Sequence, residues 1–448
     1  MANKLKVLTF GWEFPPHISG GLGTACYGLT KSLLKQGTEV LFVVPRARGD
    51  EEIPMISASD IFIPRDQTPE AMLSEETTSV YSLSGAREMK VLTVLSEIEP
   101  YSAPQISLSS DIEAWNYEIT ERSGGFPAVP AIRYRFTGTY GPHLLEEVRR
   151  YGEVGGAIGL QNDFDVIHAH DWLTFPAGVA AKRASSKPLV IHVHSTEYDR
   201  AGSQNVDNRV LEIERQGMEE ADLIVAVSEW TKQILISKYG VKRAKIAVVH
   251  NGVMAGKRTG AHTQPLRIAR NMVTFLGRIT YQKGPHYFVE AARKVLEKFP
   301  DTHFVVAGSG DLLPAIVERV AALKLSTRFH FTGFLRSEQV NQVWALSDVY
   351  VMPSVSEPFG IAPLEAIQSG VPVIVSNQSG VSEVIHHAIK ADFWDIDALA
   401  GAICSVLTHK SLVKTLRKHS KEQLKEISWD NAARKLIKLF HETRSKNN

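Results

Sequence analysis

The chain has 448 residues, 44% of them hydrophobic and 22% charged, and a formal net charge of +1. At about 150 residues per domain this length predicts two or three domains, and 50 basic against 49 acidic residues exclude a polyanion-coating role, so no nucleic-acid partner is expected. Two cysteines, Cys26 and Cys404, exclude a disulfide scaffold and predict a reducing, cytoplasmic setting; no apolar run reaches the roughly 18–20 residues of a membrane helix.

In chain order, a strand is expected over 6–10, then a Pro/Gly-rich loop, a helix over 24–36 and a strand over 39–45. Trp12, Glu13, Pro15 and Pro16 interrupt any signal-like apolar start. Residues 46–160 break the rhythm. From 101 to 151 they carry Tyr101, Trp115, Tyr117, Phe126, Tyr134, Phe136, Tyr140 and Tyr151, about twice the chain-wide 8% of aromatics. Two readings of this insertion stand: a saccharide-binding surface, because aromatic faces stack on sugars, or a β-meander with ordinary aromatic packing. Continuous apolar strands follow at 165–170, 188–194, 222–228 and 245–250, with helices between. Such strands belong to a parallel sheet covered on both faces. Residues 254–265 are polar and unpatterned and read as a linker. The alternation then restarts with strands at 272–276, 302–307, 328–333, 348–353 and 371–376. The tail from 395 is helical and ends in an amphipathic stretch at 429–443, with Ala432, Leu436, Ile437 and Phe440 apolar. The expected class is α/β, with two doubly wound domains and a ligand cleft at the carboxyl ends of their strands.

Four motifs carry chemistry. Ser19-Gly20-Gly21-Leu22-Gly23-Thr24 lies between the first strand and the first helix, where glycines let backbone N–H groups approach an anion. It is not a dinucleotide fingerprint. Counting from Gly21, the third glycine slot holds Cys26, and no acidic residue ends the second strand, Val43-Val44-Pro45. His168-Ala169-His170-Asp171-Trp172 ends one strand, and His192 and His194 repeat the spacing on the next. No cysteine, helical His-Glu-x-x-His or acidic cluster accompanies these histidines, so no metal is expected; a cleft-facing histidine that bonds a polar substrate is the better reading, with a satisfied core histidine the alternative for His168 and His192. In the segment from Gly277 to Gly284, Arg278 supplies a planar fork and Lys283 a point charge, a pair suited to a diphosphate. The most specific motif is Glu357-Pro358-Phe359-Gly360-Ile361-Ala362-Pro363-Leu364-Glu365. Pro363 suits the first turn of a helix, the backbone at Gly360–Ala362 could hold phosphate, and the two carboxylates could accept bonds from hydroxyl groups. Glu365 alone could serve only the helix dipole, worth about 0.3–1 kcal/mol. That reading leaves Glu357 unexplained.

In this order the four motifs resemble the retaining glycosyltransferases of the two-Rossmann GT-B architecture, of the group-1 (family 4) type and close to glycogen and starch synthases. The segment from Trp12 to Gly23 and the element His170-Asp171-Trp172 are similar to glycogen synthase. The resemblance covers nearly the whole chain and is weakest in the aromatic insertion. It implies catalytic roles for His170, Arg278, Lys283 and Glu357, with the two cations holding the diphosphate and Glu357 the sugar hydroxyls. It implies donor contacts from Gly20, Gly21, Gly23, Gly360, Ile361 and Ala362, and from Glu365 to the ribose. Glu13, His194, Trp115 and Tyr117 are the acceptor-side candidates. Ile18 and Ser19 stand where bacterial synthases often carry lysine, and Glu365 is present where many of them lack a second glutamate.

The expected organisation is an acceptor-side domain over 1–255 with its insertion at about 46–160, a nucleotide-sugar domain over 256–425, and a C-terminal helix over 426–448 packing back onto the first domain. The expected activity moves a hexose, glucose above all, from a nucleotide-diphosphate sugar such as UDP-glucose or ADP-glucose to an oligo- or polysaccharide. A sucrose-type small acceptor or another glycan is the alternative. No cofactor, metal or membrane span is expected, and the sequence specifies neither the base nor the oligomeric state. A lipid-linked acceptor would ask for a Lys/Arg block that the insertion lacks. A non-catalytic sensor would have lost a motif residue, and an epimerase would not need the acceptor-like insertion.

Overall fold

The computed structural model describes residues 4–16, 20–46, 140–202, 205–254 and 269–447, with short pieces at 52, 56–57, 63–64, 89–93, 131–132, 134 and 136. Up to residue 254 the strands are β1 (Lys6–Phe10), β2 (Glu39–Val44), β3 (Ile56–Ser57), β4 (Ile63–Pro64), β5 (Met89–Thr93), β6 (Ala131–Ile132), β7 (Val166–His170), β8 (Leu189–Val193), β9 (Leu223–Ala226) and β10 (Ile246–Val248). Eight of them form one sheet in the order β10-β9-β8-β7-β1-β2-β5-β3, with parallel pairing throughout. The helices of this half are α1 (Gly21–Lys35), α2 (Leu144–Gln161), α3 (Phe175–Ser185), α4 (Glu197–Ala201), α5 (Asn208–Glu220) and α6 (Glu229–Tyr239).

The second half restarts the pattern with β11 (Asn271–Leu276), β12 (Thr302–Ala307), β13 (Phe329–Gly333), β14 (Val349–Met352), β15 (Val373–Ser376) and β16 (Ile389–Ala391). These form a six-stranded parallel sheet in the order β13-β12-β11-β14-β15-β16. Its helices are α7 (Pro285–Lys298), α8 (Leu313–Ala322), α9 (Ser337–Leu346), α10 (Ala362–Gln368), α11 (Val381–Val384), α12 (Ile396–Thr408), α13 (Lys410–Gln423) and α14 (Trp429–Asn447). The central strands are buried along their whole length, β7, β8, β14 and β15 among them, as expected of parallel strands with helices on both faces. Because every strand of a parallel sheet ends on the same edge, the loops after β11, β14, β15 and β16 are brought to one side.

Three features depart from the expectation. Helix α1 begins at Gly21, three residues early, because Gly20 takes the extended N-cap conformation and the glycines continue straight into the helix. In the insertion, β3 and β5 extend the parallel sheet beyond β2, while β4 and β6 pair antiparallel as a separate two-stranded piece, so the described strands there mix both pairings rather than form one meander. Strand β16, which the pattern did not single out, is a short edge strand whose middle residue, Lys390, is exposed. The apolar face of α14, with Trp429, Ala432, Ala433, Leu436 and Phe440, shares a core with Ala25, Cys26, Leu29 and Leu33 of α1. Each such large side chain stabilises the junction by about 1.5–3 kcal/mol. Among the described residues, no single helix is long and apolar enough to cross a membrane.

Candidate active site

The site lies where the carboxyl ends of the two sheets face each other. On the second sheet, the loop after β11 carries Arg278 and a short turn at Tyr281–Lys283. The loop after β14 carries Glu357. The Lys283 ammonium pairs with the Glu357 carboxylate, and Ser354 Oγ donates to the same carboxylate oxygen at 3.3 Å. The Glu357 backbone is pinned on both sides: its N–H donates to the Gln378 carbonyl and its carbonyl accepts from Gly380 N–H, each at 2.9 Å. Gln282 is a positioning residue that the sequence did not suggest. It is buried, its side-chain oxygen accepts from Arg278 at 3.2 Å, and its carbonyl accepts from Val355 N–H at 2.9 Å. The basic loop is thereby tied to the acidic one.

Gly360 has φ of +95°, a left-handed conformation that L-residues adopt at a cost. A Cβ there would also press on Met352 and Glu357. The turn delivers Ile361 as the N-cap of α10, with Ala362 and Pro363 in its first turn. Glu365 follows one turn in, and burial raises its carboxyl above the ordinary range.

On the first sheet, Gly20 caps α1 and Gly21 and Gly23 form its first turn. A Cβ on Gly20 would lie 2.7 Å from a Glu13 carboxylate oxygen, so the glycine admits this close approach. Glu13 is 4% exposed. Tyr140 donates to one of its oxygens, and the other is buried with no close hydrogen-bond partner among the described residues. Burial pushes the Glu13 carboxyl up, while Tyr140, the Arg278 charge and the Gly23 backbone oppose that rise. Glu13, the α1 glycines and Arg278 therefore converge from the two halves.

His170 ends β7 and is buried. Its Nδ1 lies 2.9 Å from His194 Nε2. Behind them, His168 Nε2 lies 3.2 Å from His192 Nδ1. Burial keeps these rings neutral: His168 and His194 are pushed down to about 3, and His170 and His192 well below the ordinary value. His168, His170 and His192 bring one ring nitrogen each within 4.8 Å of one another. The far nitrogens of His168 and His192 are buried with no partner among the described residues, whereas metal-bound imidazoles usually donate the second N–H to an acceptor. Tight mutual stacking, with His170 and His192 rings 5.3 Å apart at 20°, suits a packed array better.

Asp171 follows at φ of +58° and accepts from His194 N–H at 2.6 Å and Ser195 N–H at 3.3 Å. Burial raises its carboxyl to about 7 against the pull of Arg200. Arg200 in turn pairs with Glu197 and Glu214. This network fixes the loop 194–199, and of its members only Asp171 and His194 were singled out in the sequence. The loop reaches the other half: Ser356 Oγ donates to Asp199 at 2.5 Å. Further contacts between the halves come from α6, whose capping Ser228 donates to the Pro358 carbonyl at 2.5 Å. The Glu383 carboxylate accepts from the N–H groups of Glu229 and Trp230 at 2.9 and 2.7 Å and pairs with His250 at 2.8 Å.

Trp115 and Tyr117 lie outside the described residues. Of the candidates that are described, His194 backs His170 and Glu13 faces Arg278. A groove of about 780 Å³ between α2, α3 and α5, lined by residues such as Leu160, Val179 and Ile213, lies apart from all of them.

Three family models tile the chain: starch synthase catalytic domain over 6–116, glycosyltransferase family 4 over 109–255, and glycosyl transferases group 1 over 262–442. An uncharacterised glycosyltransferase of Methanocaldococcus jannaschii is 26% identical over 97% of this chain and 98% of that protein. A glycogen synthase of Mycobacterium tuberculosis is 23% identical over 97% of this chain and 94% of that protein. Among solved structures, sucrose-phosphate synthase from Thermosynechococcus elongatus superposes with a TM-score of 0.69 at 19% identity, covering 99% of this chain and 100% of that one.

Proposed function

The chain is a group-1 glycosyltransferase of the GT-B architecture, and we propose that within this family it is a retaining enzyme that moves glucose from a nucleoside-diphosphate glucose to a glucan. The observation that carries this reading is the convergence of Arg278 and the Lys283–Glu357 pair with the α1 glycines and His170 at the meeting of the two sheets. The match to a starch synthase catalytic domain and to a glycogen synthase favours glucose and a glucan.

In the proposed reaction an acceptor hydroxyl oxygen attacks the anomeric carbon as its bond to the diphosphate oxygen breaks. The hydroxyl proton passes to the departing phosphate on the same face. Negative charge grows on the leaving group, so preorganised donors there lower the barrier. Arg278 and Lys283 supply positive charge to offset it, and the backbone at Gly21, Gly23 and Gly360–Ala362 supplies N–H groups. Glu357 accepts from sugar hydroxyls, and Glu365 from the ribose. His170, kept neutral by burial, bonds the transferred sugar. The contacts of Ser228 with Pro358 and of Asp199 with Ser356 hold the halves together over the site, which excludes water from the donor.

A thermal-shift panel tests the donor half of this reading, because a ligand of the native state raises the melting temperature by mass action. UDP-glucose or ADP-glucose is expected to stabilise the wild type and to lose that effect in Lys283→Ala. A flat response to every nucleotide sugar would refute the donor site.

A further inference from the structure

Beside this site lies a row of aromatic rings with no part in the donor machinery. Tyr281 and His286 stack with centroids 6.5 Å apart, His286 and Tyr287 lie 4.0 Å apart, Tyr287 meets Phe393 edge-on at 5.0 Å, and Phe393 meets Trp394 at 4.7 Å. The two ends of the row are open to solvent, with Tyr281 49% and Trp394 55% exposed, while the rings between them are partly buried. We propose that this row is a docking platform for a neutral oligosaccharide strand, the acceptor chain on its way to the donor site. The inference rests on the proposed glycan acceptor.

Three observations support it. First, the parallel sheet sets the location. Tyr281, His286 and Tyr287 follow β11, and Phe393 and Trp394 follow β16, so both groups lie on the carboxyl edge that also carries Glu357. Second, the platform is fixed to the site. The Asp392 carboxylate, beside Phe393, accepts from Asn377 and Gln378 at 3.0 and 2.9 Å, and the Gln378 carbonyl holds the Glu357 N–H. At the other end Tyr281 precedes Gln282 and Lys283 and faces Gly202 of the opposite half. Third, the chemistry suits a sugar. The rings are uncharged, His286 included, since burial lowers its tendency to protonate. Large rings already braced by their neighbours present apolar faces at little further entropic cost. The rim carries carboxylates that could meet sugar hydroxyls: Asp392 accepts from the two amides, Asp395 caps α12 by accepting from Ala398 N–H at 2.9 Å, and Asp397 pairs with Lys294.

Electrophoresis of the intact chain through native gels with and without glycogen tests the platform. The wild type is expected to be retarded by glycogen, Trp394→Ala to lose most of the retardation, and Trp394→Tyr to regain it. Leu160→Ala, which removes an exposed apolar side chain from the other half, should behave as wild type. Trp394→Ala should transfer to maltotriose at the wild-type rate, while its KM for glycogen rises about tenfold, equivalent to about 1.4 kcal/mol. Equal retardation of Trp394→Ala and wild type would overturn the platform. So would a wild type that transfers to maltotriose without being retarded, and this result would leave the proposed function standing. Retardation without transfer to any glucan would support the platform and count against the glucosyltransferase reading. A wild type that neither transfers nor is retarded would overturn both.

Discussion

His194 Nε2 lies 2.9 Å from His170 Nδ1, and the other nitrogen of His194 is buried with no partner among the described residues. We predict that His194 carries its proton on Nε2 and donates it to His170 Nδ1, which would place the His170 proton on Nε2. This fixed tautomer makes His170 a standing donor toward a sugar oxygen. Long-range 15N NMR of labelled histidines, assigned with His170→Gln, should show the Nε2–H form of His170. His194→Leu should mix the tautomers and lower kcat more than it changes the donor KM. The Nδ1–H form in the wild type would contradict the assignment.

Removing one partner of a buried ion pair costs more than removing both, about 3–5 kcal/mol when the survivor is fully desolvated. The Glu357 side chain is 7% exposed and Lys283 20%. Lys283→Ala strands the drier charge, so it should lower the melting temperature more than Glu357→Gln, and the double variant should recover part of the loss. All three should lose turnover by orders of magnitude. Scanning calorimetry alongside a transfer assay checks both halves of the statement.

His168 titrates near 3 in the fold, chiefly because of burial with a smaller contribution from His194, and near 6.5 in an unfolded chain. Below pH 6.5 the unfolded state binds a proton that the native state refuses, so stability falls as pH falls. The slope is about 1.4 kcal/mol per pH unit for one proton. Urea unfolding at pH 7, 6 and 5 should show a flatter decline for His168→Leu than for the wild type. Identical slopes would show that His168 does not titrate as its burial requires.

Phe440 is fully buried between α14 and α1 and meets the His168 ring edge-on at 5.2 Å. Phe440→Ala should cost about 3–5 kcal/mol, the usual range for opening such a cavity. The same denaturation curves would report it. A loss near zero would mean that α14 does not brace the first sheet.

Much of the fold was legible because parallel strands write themselves as apolar runs: β7 and β8, buried on both faces, could hardly be read otherwise. The insertion was not legible, because short strands such as β3 lack a pattern of their own and depend on β2 and β5 for their pairing. At the site, motifs marked Arg278, Lys283, Glu357 and His170 by residue type and position after strands. Gln282 escaped notice, since a lone glutamine in a loop becomes informative only when its side chain meets Arg278 and its carbonyl meets Val355. Arg200 and Glu214 escaped for the same reason: two charges 14 residues apart on neighbouring helices form a pair only after folding. Asp199 and Ser356, 157 residues apart, come from different halves and meet only in the folded chain.

Incorporation of labelled glucose into glycogen tests the central claim most directly. The chain is incubated with glycogen and either UDP-[14C]glucose or ADP-[14C]glucose, with Glu357→Gln in parallel and fructose 6-phosphate as a second acceptor. Label precipitating with glycogen from at least one donor, and lost in the variant, is the predicted result. No label in glycogen from either donor, or transfer to fructose 6-phosphate alone, would contradict the glucan assignment.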